Sequence, residues 1–216
     1  MKVDILVPNS LKEISLKQYQ KFLKLQKDND DSYFLQCKMI EIFCNLDLKA
    51  VRNLKLIDAN KIVDIINLMF EEKPKLINTF KLGEVEYGFI PKLDDISLGE
   101  YVDLDTYMGD WDNMHIAMNV LYRPIKDKIK DKYTIKEYET NDNNKLDEIP
   151  LDVVLGAVFF LYNLGMDLSI AMTSYLESQE MEDLIQQQIL EKNMDGTKVS
   201  LHSLREILQD LKISLN

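Results

Sequence analysis

The residues best suited to chemistry are the four aspartates of "DLDTYMGDWDN", namely Asp103, Asp105, Asp110 and Asp112, because carboxylates gathered in a short stretch are what a calcium loop requires. Such a loop places oxygen ligands at its first, third and fifth positions, Gly at the sixth and a bidentate Glu at the twelfth. Counted from Asp103, those last three positions hold Tyr107, Met108 and Met114, so the template fails. Aspartates capping helix ends account for the cluster instead.

His115 and His202 are the only histidines, and neither belongs to a His-x-x-x-His, Glu-x-x-His or Cys-x-x-Cys arrangement. Cys37 and Cys44 are the only cysteines. On one predicted helix they lie about 10 Å apart by helix rise, too far to bridge, which points to a reducing compartment. The chain has no phosphate-cradling glycine loop and no Gly-x-Ser-x-Gly elbow. The expectation is a protein without catalytic residues, cofactor or metal.

Composition narrows the partners. A net charge of -11 repels a phosphate backbone, and the densest basic stretch, "IKDKIKDKYTIK", interleaves Asp127 and Asp131 with its lysines as a solvated hairpin would. No sequence-specific nucleic-acid binding is expected. "MKVDILVPNS" is not an apolar signal segment, which predicts no secretion route of the protein's own. The most apolar run, "PLDVVLGAVFFLYNLG", includes Asp152 and stops at Gly165, short of the roughly twenty residues that span a bilayer. It reads as a central buried helix, with no membrane partner.

The elements that must position these residues are announced by a repeated phrase. "ISLKQY" from Ile14 and "ISLGEY" from Ile96 both place Ser at an N-cap, Gln18 or Glu100 three residues on, and an Ile/Tyr pair as hydrophobic staple. "VSLHSL" from Val199 keeps the staple, as Val199 and Leu204, and loses the box carboxylate to Ser203. Each phrase marks a helix start. "VPNSLKEISLKQY" and "IPKLDDISLGEY" also share a Pro and then Leu-x-x-Ile ahead of the serine, which a short duplicated entry into two helices would give. No similarity continues beyond the tyrosine, however, which favours convergent caps.

Apolar periodicity predicts helices over residues 15–27, 32–45 and 59–72, the last capped by Asp58 and stopped before Pro74. "KLGEVEYGFIP" alternates about Gly83-Glu84 as a β-hairpin does. Helices follow over 98–107 and 112–122, the second opened by Asp110 or Asp112 and closed by Pro124, and a second strand pair joins "LYRPI" to "YTIKEYE". "TNDNNKLDEI" is a polar loop. From Pro150 the pattern is helical: a buried helix to Asn163, an amphipathic helix over 167–192, the "NMDGTK" turn and a last helix from Leu201. The fold class is mainly α with a small β component, a helical bundle carrying one or two β-hairpins. Its regions are an N-terminal helical part over 1–75, a hairpin-containing part over 76–148 and a C-terminal helical part over 149–216, packed as one unit.

Two groups are candidate interface residues. Tyr107, Trp111, Met114 and Met118 fall at helical spacing, which serves either a core or the anchors of a protein interface. Leu204, Leu208, Leu211 and Leu215 form a stripe at coiled-coil-like steps that packs on the preceding helix or on a partner subunit.

The wording of three segments carries a family likeness. "VPNSLKEISLKQYQKFLKLQ", "KLGEVEYGFIPKLDDISLGEYVDLDTYMGDWDNMHIAMNVLYRPI" and "PLDVVLGAVFFLYNLGMDL" resemble a little-characterised group of structural and assembly proteins encoded by tailed bacteriophages, including crAss-like phages. The resemblance spans most of residues 3–168 and weakens in the C-terminal helices. It implies a non-enzymatic protein of the virion, a multi-copy ring subunit at the neck or tail, made in the host cytoplasm. The partners it implies are further copies and other tail, neck or portal proteins. The alternative is a tail assembly chaperone that sheathes the tape-measure or another tail protein, which acidic charge and an amphipathic groove would suit.

Overall fold

Both full copies of the repeated phrase do what their residues require. A computed structural model describes residues 5–130, 132–139 and 146–176, and in it Ser15 opens α1 (Leu16–Lys27) while Ser97 opens α5 (Leu98–Tyr107). Each serine hydroxyl accepts the backbone N–H three residues on, and the Gln18 or Glu100 side chain accepts the N–H of the cap residue in return. The staple differs between copies: Ile14 is buried and the Tyr19 ring packs on Phe70 and Trp111, whereas Tyr101 stands exposed. The third phrase, at Ser200, lies outside the described residues.

Aspartate side chains start the next two helices. Asp31 takes the Tyr33 and Phe34 N–H groups at the head of α2 (Ser32–Phe43), and Asp47 takes that of Ala50 at the head of α3 (Leu48–Arg52), a five-residue helix the periodicity is too short to reveal. The helix expected over 59–72 is α4 (Leu56–Phe70), which begins three residues earlier. Asp58 is therefore no cap; it lies in the first turn, where a carboxylate favours the positive helix end. Phe22, Phe43 and Phe70 form a chain of tilted ring contacts that joins α1, α2 and α4.

The sheet carries both expected strand pairs. β1 (Thr79–Leu82) and β2 (Val85–Phe89) turn through Gly83-Glu84, with Gly83 at φ +60°, the left-handed value that glycine adopts without a Cβ penalty. β3 (Tyr122–Ile129) pairs with β2 on one side and β4 (Lys132–Ile135) on the other, giving one antiparallel sheet in the order β1-β2-β3-β4. Pro124 does not stop a helix. α6 (Met114–Leu121) ends three residues earlier, and Pro124 sits inside β3 at the last pair of the ladder with β2, its carbonyl accepting Lys136 N–H at 3.0 Å with no N–H to give in return. Most of the expected polar loop, residues 140–145, lies outside the described residues.

Gly88 leaves room for a ring. Its absent Cβ would stand 2.4 Å from Cε2 of Tyr133, whose hydroxyl donates to the Phe89 carbonyl at 2.8 Å. Gly88→Ala is expected to cost about 1–3 kcal/mol, the usual penalty of overpacking. Urea denaturation of Gly88→Ala in the wild-type and Tyr133→Ala backgrounds checks the cause: removing the ring should abolish most of the alanine's cost, and equal costs in both would show that the ring is not responsible.

The last described helix is longer than its apolar run suggests. α7 spans Leu151–Leu176 without a break, so Gly165 does not end a helix, and Ser169 Oγ donates back to the Gly165 carbonyl. By length and composition its stretch Leu151–Ile170 is apolar enough to cross a membrane. Its first two turns belong to a protein core, however: Leu151, Val153, Val154 and Ala157 are buried. The main chain enters α7 through a backbone clip in which Leu16 N–H bonds Ile149 and Leu151 N–H bonds Ile14. The chain divides into two compact units, Met1–Ala157 and Val158–Asn216, with the division inside α7. The first holds α1 to α6, the sheet and the start of α7. Of the second, the rest of α7 is described, and the turn at "NMDGTK" and the helix expected from Leu201 lie outside the described residues.

Candidate functional site

Of the first group of candidate interface residues, two are core. Met114 and Met118 have no exposed surface, because α6 turns that face inward with Ala117 and Leu121. They are not available to a partner, so of the two readings the core one holds for both and the interface one does not. Tyr107 and Trp111 are half-buried. Trp111 binds inward as well: its ring meets Tyr19 edge-on at 5.1 Å and its carbonyl accepts Gln20 Nε2 at 2.7 Å, tying the turn before α6 to α1. Leu204, Leu208, Leu211 and Leu215 lie outside the described residues.

The four aspartates do not converge on one ligand. Asp103 accepts the Tyr138 hydroxyl, Asp105 is exposed, and Asp112 pairs with Lys24 at 3.5 Å. Asp110 builds the turn that precedes α6, accepting Asp112 N–H at 3.0 Å and Asn113 Nδ2 at 2.8 Å. The helix itself starts later than expected, with Asn113 at the cap position. Among the described residues no three His, Cys, Asp or Glu side chains are grouped to hold a metal ion. Burial pushes the Cys44 thiol up to about 11, so it stays protonated and un-nucleophilic at neutral pH.

A polar network that the sequence did not reveal lies between α5 and the sheet. Glu100 and Arg123 are 6% and 7% exposed and form an ion pair of 2.6 Å, Arg123 Nη2 to Glu100 Oε1. The other carboxylate oxygen accepts Ser97 N–H at 2.6 Å, so Glu100 serves cap and ion pair together. Burial pushes the Glu100 carboxyl up, but the Ser97 N–H and hydroxyl and the Arg123 guanidinium outweigh it and hold the group below its ordinary value. The guanidinium also lies 6.0 Å from the centre of the Tyr138 ring, and Tyr138 donates to Asp103. Burial, reinforced by Asp103, pushes the Tyr138 hydroxyl well above its ordinary range. Glu100, Arg123 and Asp103 are each turned on a neighbour, which makes a structural tie, although the buried Arg123 Nε finds no hydrogen-bond partner among the described residues.

An open groove of about 680 Å³ lies between α1, the end of α2 and the segment that leads into α7. Lys12, Lys21 and Glu41 stand around it, and Lys17 is already paired with Asp147 at 3.2 Å and Glu148 at 3.0 Å. Gln18 fills its floor, donating to the Ile42 carbonyl at 2.7 Å.

Exposed apolar side chains are the feature most suited to function. On α5, Leu98, Tyr101 and Val102 sit at i, i+3 and i+4 and all face solvent, with Leu98 79% exposed. At the start of α4, Leu56 and Ile57 are 70% and 63% exposed, beside Tyr33 of α2. Further along α4, Ile65 and Leu68 continue the face of Ile57. Single exposed apolar residues are ordinary, but several on one helix face mark interaction surfaces. Compared with protein-family models, curated proteins and solved structures, the chain matches none of them.

Proposed function

We propose that the protein is a non-enzymatic structural subunit of a tailed-bacteriophage particle, present in several copies as a ring at the neck or tail. The observation that carries the reading is the apolar surface left exposed on two separate helical faces, α4 and α5, of an otherwise well-packed unit. A subunit that must meet neighbours on two sides needs two such faces, and rings arise when head-to-tail contacts close. The phage setting comes from the resemblance of residues 3–168. The buried first turns of α7 favour placing that helix in protein and not in lipid.

The test is quantitative mass spectrometry of gradient-purified particles beside the infected-cell lysate, normalised to the major capsid protein. Retention at a fixed multiple-copy ratio is the expected result. Abundance in the lysate with loss from washed particles would instead identify an assembly chaperone and overturn the ring reading.

A further inference from the structure

The two exposed faces differ in charge. From Leu93 to Tyr122 the sequence contains no lysine or arginine, while Asp94, Asp95 and Asp105 stand exposed around the apolar ridge of Leu98, Tyr101 and Val102. From Leu48 to Ile62 the balance is reversed: Lys49, Arg52, Lys55 and Lys61 are exposed against the single carboxylate of Asp58. In a chain of net charge -11 that basic segment stands out. Its Arg52 and Leu56 stand at the rim of a recess. A cavity of about 80 Å³ opens between α2, α3 and the start of α4, floored by Ile40, Val51 and Val63 and rimmed by Tyr33, Arg52 and Leu56.

We propose that the acidic ridge of α5 in one copy of the protein docks into the recess rimmed by Arg52 between α2, α3 and α4 of a second copy, a head-to-tail contact that repeats from subunit to subunit. The occupant is this chain itself because charge and shape both match: the ridge offers aliphatic knobs flanked by carboxylates, and the recess offers an apolar floor with Arg52 at its rim, on a segment whose Lys49, Lys55 and Lys61 are also exposed. Leu98 or Val102 supplies the side chain that enters, as in helix-in-groove recognition. Arg52, which has no carboxylate partner among the described residues, meets Asp105 or Asp94 of the neighbour. Complementary charge steers the encounter and fixes its direction, and salt weakens it. Because ridge and recess are built from different elements, one contact leaves a free ridge at one end and a free recess at the other. The inference rests on the ring-subunit reading for its purpose, but not for its test.

The test is sedimentation velocity of the full-length protein and two double variants over a wide concentration range at low and high salt. Arg52→Glu with Leu56→Asp spoils only the recess; Leu98→Lys with Asp105→Lys spoils only the ridge. All four positions are exposed, and circular dichroism checks that each variant folds, with Leu56→Ala and Leu98→Ala as the milder pair. The wild type should self-associate, less so in salt, and each variant alone should associate at least about tenfold more weakly. Mixed in equal amounts, the two variants should form a dimer and stop there, because one keeps the ridge and the other the recess. A wild type that stays monomeric, variants that associate like the wild type, or a mixture that stays monomeric would each overturn the contact. Particle composition answers separately: a monomeric protein retained in virions sinks the contact and leaves the ring reading, and a self-associating protein lost from them does the reverse.

Discussion

Arg123→Met is expected to lower the stability of the first unit by about 3–5 kcal/mol, the cost of removing one partner of a buried ion pair. The loss comes from what is left behind. Glu100 stays 6% exposed, keeps its bond from Ser97 N–H and loses the only cation paired with it among the described residues. Methionine refills most of the arginine's volume, so a cavity contributes little. The check is urea denaturation, in which the midpoint should fall without a change of slope. Arg123→Met combined with Glu100→Gln should recover part of the loss, because a neutral amide can still accept from Ser97 without stranding a charge. A single-variant loss under about 1 kcal/mol would mean that the pair exchanges with water as a surface pair does.

The same carboxylate sets an acid limit. Its ordinary value of 4.5 is lowered on folding, so the unfolded chain binds the proton more readily than the folded one. The stability it contributes is present in full above pH 4.5 and is lost as pH falls through the lower folded value. Glu100→Gln should therefore be less stable than wild type at neutral pH, and the gap should narrow as the solution is acidified below that point. A gap that stays constant with pH would exclude Glu100 as the titrating group.

Local rules explain what the sequence disclosed and what it hid. Ser15 and Ser97 were legible because a cap, its box partner and its staple lie within six residues, and the turn at Gly83-Glu84 because alternation on either side fixes the register. Pro124 misled because a proline ends a helix or closes an edge of strand pairing equally well, and only the partner strand, more than thirty residues earlier, decides. Gly165 misled in the same way: glycine is tolerated within a helix at a cost of about 1 kcal/mol, and nothing local says that α7 absorbs it. Met114 and Met118 could be core or interface until the structure turned that face of α6 inward. The Glu100–Arg123 tie was nearly invisible, since Glu100 already had a role in its capping box. The one available sign was an arginine set in the apolar "LYRPI" of a chain with 23 lysines and 3 arginines. Where a compact charge would serve, this sequence uses lysine; a planar donor fork buried against a carboxylate and a ring needs arginine.

Gly156 should show the clearest departure from helix propensity. In a helix interior, replacing glycine by alanine normally stabilises by about 1 kcal/mol. At Gly156 the new Cβ would stand 2.4 Å from the carbonyl oxygen of Lys75, and backbone cannot swing aside as the end of a side chain can. Either α7 shifts away from the strand-entry segment at Lys75 and Leu76, or that segment moves and strains the Tyr122 hydroxyl's 2.8 Å bond to the Ile77 carbonyl. Gly156→Ala is therefore expected to destabilise by about 2 kcal/mol and Gly156→Val by more, with overpacking overriding propensity. Gly99→Ala supplies the opposite sign, because nothing lies within 4 Å of its added Cβ and α5 should gain a few tenths to about 1 kcal/mol. Thermal and urea unfolding of the three variants decide the matter. If Gly156→Ala and Gly99→Ala both stabilise, α7 does not approach Lys75 as closely as the structure places it. Opposite signs would show that close packing at Gly156, and not helix preference, selects glycine there.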